Sequence, residues 1–227
     1  MVSSAKAVVS RAKAYLKARQ KNVRMALRQL KLDAMLLTHP PDLAYLSDFT
    51  GDDSIGLLTN EDFYLVTDGR FKEQGQLEAP WLKMVVREGK MPPELARTVI
   101  SAGPPQRIGF EANFTTVGQV DALKRALEEA GAAQVELVPL ENVMTNIRRF
   151  KDDREIELTR KSIEIAQEAF EAILPLVKVG QSEGYIAGSL VFEMHSRGAS
   201  DASSGAVAQR RLRGGMAPSI RVRPPGS

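Results

Sequence analysis

Apolar positions near the N-terminus recur at steps of three and four: Val8, Ala12, Tyr15 and Leu16, then Val23, Ala26, Leu27 and Leu30. That spacing lines one face of a helix, and the residues between are mostly Ala, Lys, Arg and Gln, all good helix formers. A long helix with a basic outer face is therefore expected over residues 4–31. The apolar run at 34–37 reads as a short buried strand closed by Pro40-Pro41, with Tyr45-Leu46 in a short turn of structure behind it. Gly51-Asp52-Asp53-Ser54 has turn composition. Two apolar runs, 55–58 and 63–66, flank Thr59-Asn60-Glu61-Asp62 and predict a β-hairpin, and Asp68 is placed to cap a helix over 69–76.

Beyond the hairpin the pattern alternates. Strands are expected at 82–86, 107–110 and 135–138, and helices at 92–100 and 115–130, the first opening on Pro92-Pro93 and the second stopped by Gly131. Strands alternating with helices around a hairpin argue an α/β domain with a mixed sheet, ending near residue 148. Residues 148–154 are charged and aperiodic, which suits a linker. A helix follows from about Asp153 to Leu174 with Ile156, Ile163, Ala166, Phe170 and Ile173 on one face. Ser182 can cap another helix, whose buried side is lined by Ile186, Leu190 and Met194, and Gly198 suits the left-handed position past its end. From Asp201 onward the composition turns to Arg, Gly, Pro, Ser and Ala, with 206–208 a weak strand candidate, so residues 205–227 are expected to be a disordered or out-of-frame tail.

Composition narrows the function. The 227 residues are 43% hydrophobic and 26% charged, as in an ordinary globular protein, and the absence of cysteine excludes disulfides, thiolate metal sites and a cysteine nucleophile. No apolar run approaches the ~20 residues of a membrane span, and the basic start lacks a secretory apolar stretch, so a cytoplasmic address and no membrane partner are expected. The net charge of +3 is misleading. Five of the 31 basic residues lie beyond Asp201, where there is no acid, leaving 26 against 28 acids in residues 1–201. A specific nucleic-acid binder would not divide its charge this way, and five arginines without interleaved aromatics give only non-specific attraction.

The order of several motifs resembles the creatinase/aminopeptidase P family, metallopeptidases and relatives that cleave Xaa-Pro bonds. The pieces are Ala44-Tyr45-Leu46-Ser47-Asp48-Phe49, Ile55-Gly56-Leu57-Leu58, Leu65-Val66-Thr67-Asp68-Gly69-Arg70-Phe71 and Arg107-Ile108-Gly109-Phe110-Glu111. They continue in Ile147-Arg148-Arg149-Phe150-Lys151-Asp152-Asp153-Arg154-Glu155-Ile156 and in Gly180-Gln181-Ser182-Glu183, which leads through a helix to Arg197-Gly198-Ala199. The resemblance implies an α/β fold: a mixed-sheet creatinase-type N-terminal domain over 1–148, then at 149–204 the first helices of an incomplete pita-bread catalytic domain. It also implies a homo-oligomer or an association with a full-length relative. In relatives the N-domain of one subunit helps wall a neighbour's active site. On that analogy the loop 49–54 would form the rim, with Asp52 and Asp53 meeting a substrate's amino group and Arg70 a carboxylate. The plainer reading of Asp68-Gly69-Arg70 is the close of a strand and the start of a helix.

The family chemistry uses two divalent metals, of the manganese or cobalt kind, that share a bridging hydroxide and polarise the scissile carbonyl. Their cage takes two Asp, one His and two Glu, all supplied after the opening helices of the catalytic domain. Here only Asp201 lies beyond Glu193 among the acids, and no His beyond His195, so no metal bound by this chain is expected. His195 and Glu193 stand two apart and do not share a helix face, and His195 better suits the helix C-terminal dipole. His39 reads as a satisfied loop histidine, and Glu155, Glu157, Glu164, Glu168 and Glu171 as a solvated face laced with Arg160 and Lys161. Neither a Walker phosphate loop nor a G-x-S-x-G elbow is present. The leading expectation is a truncated Xaa-Pro peptidase relative, its frame lost near Ser203, with a peptide substrate only in complete members of the family. The alternative is a non-enzymatic oligomerisation or binding module.

Overall fold

Alternation along the strands determines which helices cover which face of the sheet. In the computed structural model, which describes residues 2–103, 105–202 and 220–222, strand β1 (Ala34–Leu37) has all four residues buried. Met35 and Leu37 point to one layer, Ala34 and Leu36 to the other, as period-two geometry requires. The remaining strands of this sheet are β2 (Ser54–Thr59), β3 (Phe63–Thr67), β4 (Lys83–Val86), β5 (Arg107–Glu111) and β6 (Glu136–Leu140). They form a six-stranded sheet in the order β4-β3-β2-β1-β5-β6. Pairings β1–β2 and β2–β3 are antiparallel, while β1–β5, β5–β6 and β3–β4 are parallel. The mixed α/β architecture inferred from the sequence is thus the one observed.

Helices α1 (Val2–Gln29), α2 (Pro40–Ser47), α3 (Lys72–Glu78) and α6 (Val143–Arg149) lie over the first face, α4 (Met91–Ser101) and α5 (Val117–Glu129) over the second. The first core layer joins Val23 and Leu27 of α1 and Leu43 and Leu46 of α2 to Met35, Leu58 and Leu65 of the sheet. The second packs Leu95 and Val99 of α4 and Leu123 and Leu127 of α5 on Leu36, Val66 and Ile108. Each buried Leu or Ile of this kind contributes on the order of 1.5–3 kcal/mol. Helix α5 opens on a capping box in which Thr116 and Gln119 satisfy each other's backbone N–H. At the sheet's far side Pro139 of β6 stands opposite Phe110.

Two short helices depart from the expectations. Pro40-Pro41 does not merely stop the strand. It occupies the first turn of α2, where prolines are tolerated, and Tyr45-Leu46 lie inside that helix. Residues 143–149 form α6, so Arg148 and Arg149 belong to a helix and not to an aperiodic linker.

Chain contacts divide the protein into Met1–Phe150 and Lys151–Ser227. The second unit holds α7 (Asp153–Ile173) and α8 (Glu183–Ser196), capped by Asp152 and Ser182. Gly198 follows α8 with φ +93°. Its small core unites Ile165, Ala169, Met194 and Ala199. The stripe buried on α7 is Ile165, Ala169 and Ile173, whereas Ile156, Ile163 and Phe170, expected on the inner face, stand substantially exposed. Strand β7 (Ala199–Ala202) pairs antiparallel with β8 (Ile220–Val222). Residues 220–222 of the expected tail are thus strand, and the rest of 205–227, with the candidate at 206–208, lies outside the described residues.

Candidate functional site

The loop carrying Asp52 and Asp53 runs from the end of α2 to the start of β2, and it is held at several points. Asp48 closes α2 in the left-handed conformation (φ 63°) and accepts a hydrogen bond from the Tyr15 hydroxyl. Phe49 turns inward, is fully buried and meets Phe71 edge-on at 6.2 Å. Thr50 donates from its backbone N–H and its hydroxyl to the Glu78 carboxylate, at 2.8 and 2.9 Å. Gly51 lies against the Phe49 ring so closely that a β-carbon there would sit 2.3 Å from Cζ.

The next residues enter a group of four charges. Asp53 Oδ2 accepts from Arg70 Nη2 at 2.7 Å and from Arg87 Nη2 at 3.0 Å. Asp68 Oδ2 accepts from the same two groups at 2.6 and 3.3 Å. Asp68 also caps the 3-10 turn Gly69–Phe71 by accepting from the Arg70 backbone N–H, in the place read for it as a cap. Hydrogen bonding from the Arg70 side chain holds the Asp68 carboxyl down at about 2, and Asp68 in turn raises Arg70. Two acids and two arginines here cancel in charge.

The structure therefore brings Asp53 and Arg70 together and engages the Arg70 guanidinium within the chain. Asp52, next to them, is exposed and makes no ion pair among the described residues, although its field reaches Arg70. Arg87 was not singled out in the sequence. It follows a strand in the charged run Arg87-Glu88-Gly89-Lys90, and only the parallel pairing of β3 with β4 places it beside Thr67-Asp68. Its Nη1 donates to the Gly89 carbonyl at 2.8 Å, while its Nε is buried without a partner among the described residues.

The depressed Asp68 carboxyl gives a pH prediction. A carboxyl lowered by folding contributes stability above its unfolded value near 3.8 that is lost as pH falls through about 2. The Asp68 carboxyl carbon should therefore titrate with a midpoint near 2 by NMR. In the R70Q variant that midpoint should return toward 3.8, and one that stays put would remove Arg70 as the cause.

Asp52 and Asp53 line a cavity of about 450 Å³ together with Thr38, Thr116 and Met91, with Leu36 and Phe110 among its apolar residues. It opens where β1 and β5, adjacent and parallel, end and send their following helices α2 and α5 to opposite faces of the sheet. Crevices at such reversals are the usual ligand positions of open α/β sheets. A metal centre fares differently. Among the described residues no group of three or more His, Cys, Asp or Glu is placed to hold a metal ion. His39 caps α2, bonds Asp42 and stacks on Phe114, and His195 Nδ1 faces the Ala199 carbonyl at 3.0 Å. The donors among the described residues do not fit a two-metal site.

A mixed six-stranded sheet with this loop and charge group defines a domain type, and residues 19–150 match the Creatinase/Prolidase N-terminal domain: the chain belongs to that family. It is 30% identical over 188 residues to YqhT, an uncharacterized peptidase of Bacillus subtilis, covering 83% of this chain and 52% of the relative. An Xaa-Pro dipeptidase from Bacillus anthracis superposes with a TM-score of 0.75 at 28% identity, over 83% of this chain and 51% of that one. The N-terminal domain of the cytoplasmic peptidase PepQ from Mycobacterium tuberculosis H37Rv aligns with a TM-score of 0.52 at 32% identity, covering 58% of this chain and 98% of that domain. The chain spans about half the length of the first two relatives. No described helix is long and apolar enough to cross a membrane.

Proposed function

We propose that this sequence is the N-terminal part of a cytoplasmic Xaa-Pro peptidase, and that residues 49–54 wall a peptide-binding site whose two divalent metals are held by a complete catalytic domain in a neighbouring subunit. The carrying observation is the pairing of two acids of opposite fate. Asp53 is fixed by Arg70 and Arg87, while Asp52 beside it is exposed and lines a crevice with no ion-pair partner among the described residues. A fixed loop presenting one carboxylate suits the ammonium group of a short peptide. The 227 residues alone hold no metal in this reading and do not hydrolyse the peptide bond.

A second reading, a non-enzymatic association module, draws support from the second unit, where Leu174, Leu176, Tyr185 and Phe192 are largely exposed and Phe192 reaches 69%. One preparation tests both. Purified chain supplied with manganese or cobalt and an Xaa-Pro dipeptide should release no proline above a metal-free blank, and light scattering should show a species larger than the monomer. Metal-dependent turnover would overturn the first reading, and a clean monomer would count against both the association module and the neighbouring-subunit arrangement.

A further inference from the structure

The helix α6 closes the first unit, and two buried acids from different elements hold its ends. Its N-cap residue, Asn142, is left-handed (φ 60°) and offers no side-chain cap. Glu111, the last residue of β5 and only 3% exposed, supplies one instead: its Oε1 accepts from the Met144 N–H at 2.6 Å, and the N–H dipoles of Asn142 and Val143 favour its charge. Its other oxygen, Oε2, is buried with no partner among the described residues. At the opposite end of α6, Arg148 donates to Asp42 Oδ1 at 2.6 Å. Asp42 lies in the first turn of α2, is 2% exposed, and turns Oδ2 to His39 Nδ1 at 3.1 Å. The His39 ring stacks on Phe114 with centroids 3.8 Å apart.

We propose that these residues form a proton-sensitive clamp on α6, with Glu111 gripping its first turn and Asp42 its last, and that the clamp holds more tightly in mild acid than at neutral pH. Two buried carboxylates face this helix: Asp42 pairs with Arg148, and Glu111 has no ion pair among the described residues. Glu111 meets backbone N–H groups from α6 and the like charge of Asp42 from α2. Burial first, and the Asp42 charge after it, push the Glu111 carboxyl up from its ordinary value, against the pull of the N–H groups.

The sign follows from linkage. If α6 loosens, Glu111 meets water and regains an ordinary carboxyl affinity for protons, so the clamped form takes up a proton more readily than the loosened one. Acidification therefore favours the clamp, and as pH rises through the raised value the charge must be carried in place and the grip weakens.

Hydrogen exchange on the full chain tests the clamp. After correction for intrinsic rates, amides 146–149 should be protected on the order of a few-fold more at pH 4 than at pH 7, the window in which a carboxyl raised from its ordinary value takes up its proton. In E111Q, which cannot titrate there, protection should not change with pH. Flat protection in the native protein, or an equal slope in E111Q, would overturn the proposal. Should E111Q fail to fold, carboxyl-carbon titration of the native protein decides: a Glu111 midpoint above the ordinary ~4.3 supports the clamp, and one at or below it refutes it.

Discussion

Replacing Phe49 with alanine should destabilise the first unit by about 3–5 kcal/mol, one of the largest effects open to a single substitution here. The ring is fully buried in the layer that holds Leu43, Leu46 and Leu65, it meets Phe71 edge-on, and Gly51 covers it from above. Its removal takes away aromatic transfer energy and leaves a void bounded by backbone that cannot collapse freely. With a urea dependence of about 2 kcal/mol/M, the unfolding midpoint should fall by about 1.5–2.5 M. The same ring makes Gly51 irreplaceable, since a methyl group 2.3 Å from Cζ must displace a side chain that has nowhere to go. Gly51→Ala should therefore harm the native protein and cost less in the F49A background, where the Phe71 ring, 2.8 Å from the added β-carbon, is the clash that remains. A loss below about 1 kcal/mol for F49A, or simple additivity of the two changes, would mean that the loop is not seated on this ring.

Arg148→Ala should cost about 2–3 kcal/mol. Breaking a fully buried ion pair from one side costs about 3–5 kcal/mol, because the abandoned charge stays desolvated. Here the abandoned Asp42 side chain is 3% exposed, but Arg148 keeps 35% of its own side chain accessible, so solvent already screens part of the pair. The double variant D42A/R148A should recover part of the loss, since it removes the stranded charge along with its partner. Equilibrium unfolding in urea near neutral pH measures all three proteins. If the double variant proved as unstable as the sum of the single ones, the two residues would be contributing packing and not charge.

Much of this fold was legible because its signals are local. The strands at 34–37 and 63–67 announce themselves as short apolar runs, and Asp68, Ser182 and Gly198 act where a cap or a left-handed turn is required. The helices α2 and α6 escaped for a common reason. With 8 and 7 residues, neither is long enough to display a period, and Pro40-Pro41 and Arg148-Arg149 carry meanings that tertiary contacts alone resolve. Among the site candidates, Asp53 and Arg70 do come together, but Arg70 is already engaged by Asp53 and Asp68. The two residues that sequence reasoning missed, Arg87 and Glu111, act across separations of 34 and 33 positions through strand pairing. No spacing rule reaches that far. The one available hint was that each follows or ends a strand whose parallel neighbour carries the partner loop.

The sheet's outermost strands carry one more consequence, for self-association. At one margin β6 holds Pro139, which has no N–H to offer a further strand, and at the other β4 begins with the exposed Lys83. An added strand would find a missing donor on one side and a charge to bury on the other. Stacking of copies edge to edge into a continuous ribbon is thus discouraged at both margins. Copies of the first unit that meet would then do so through surfaces other than these two margins.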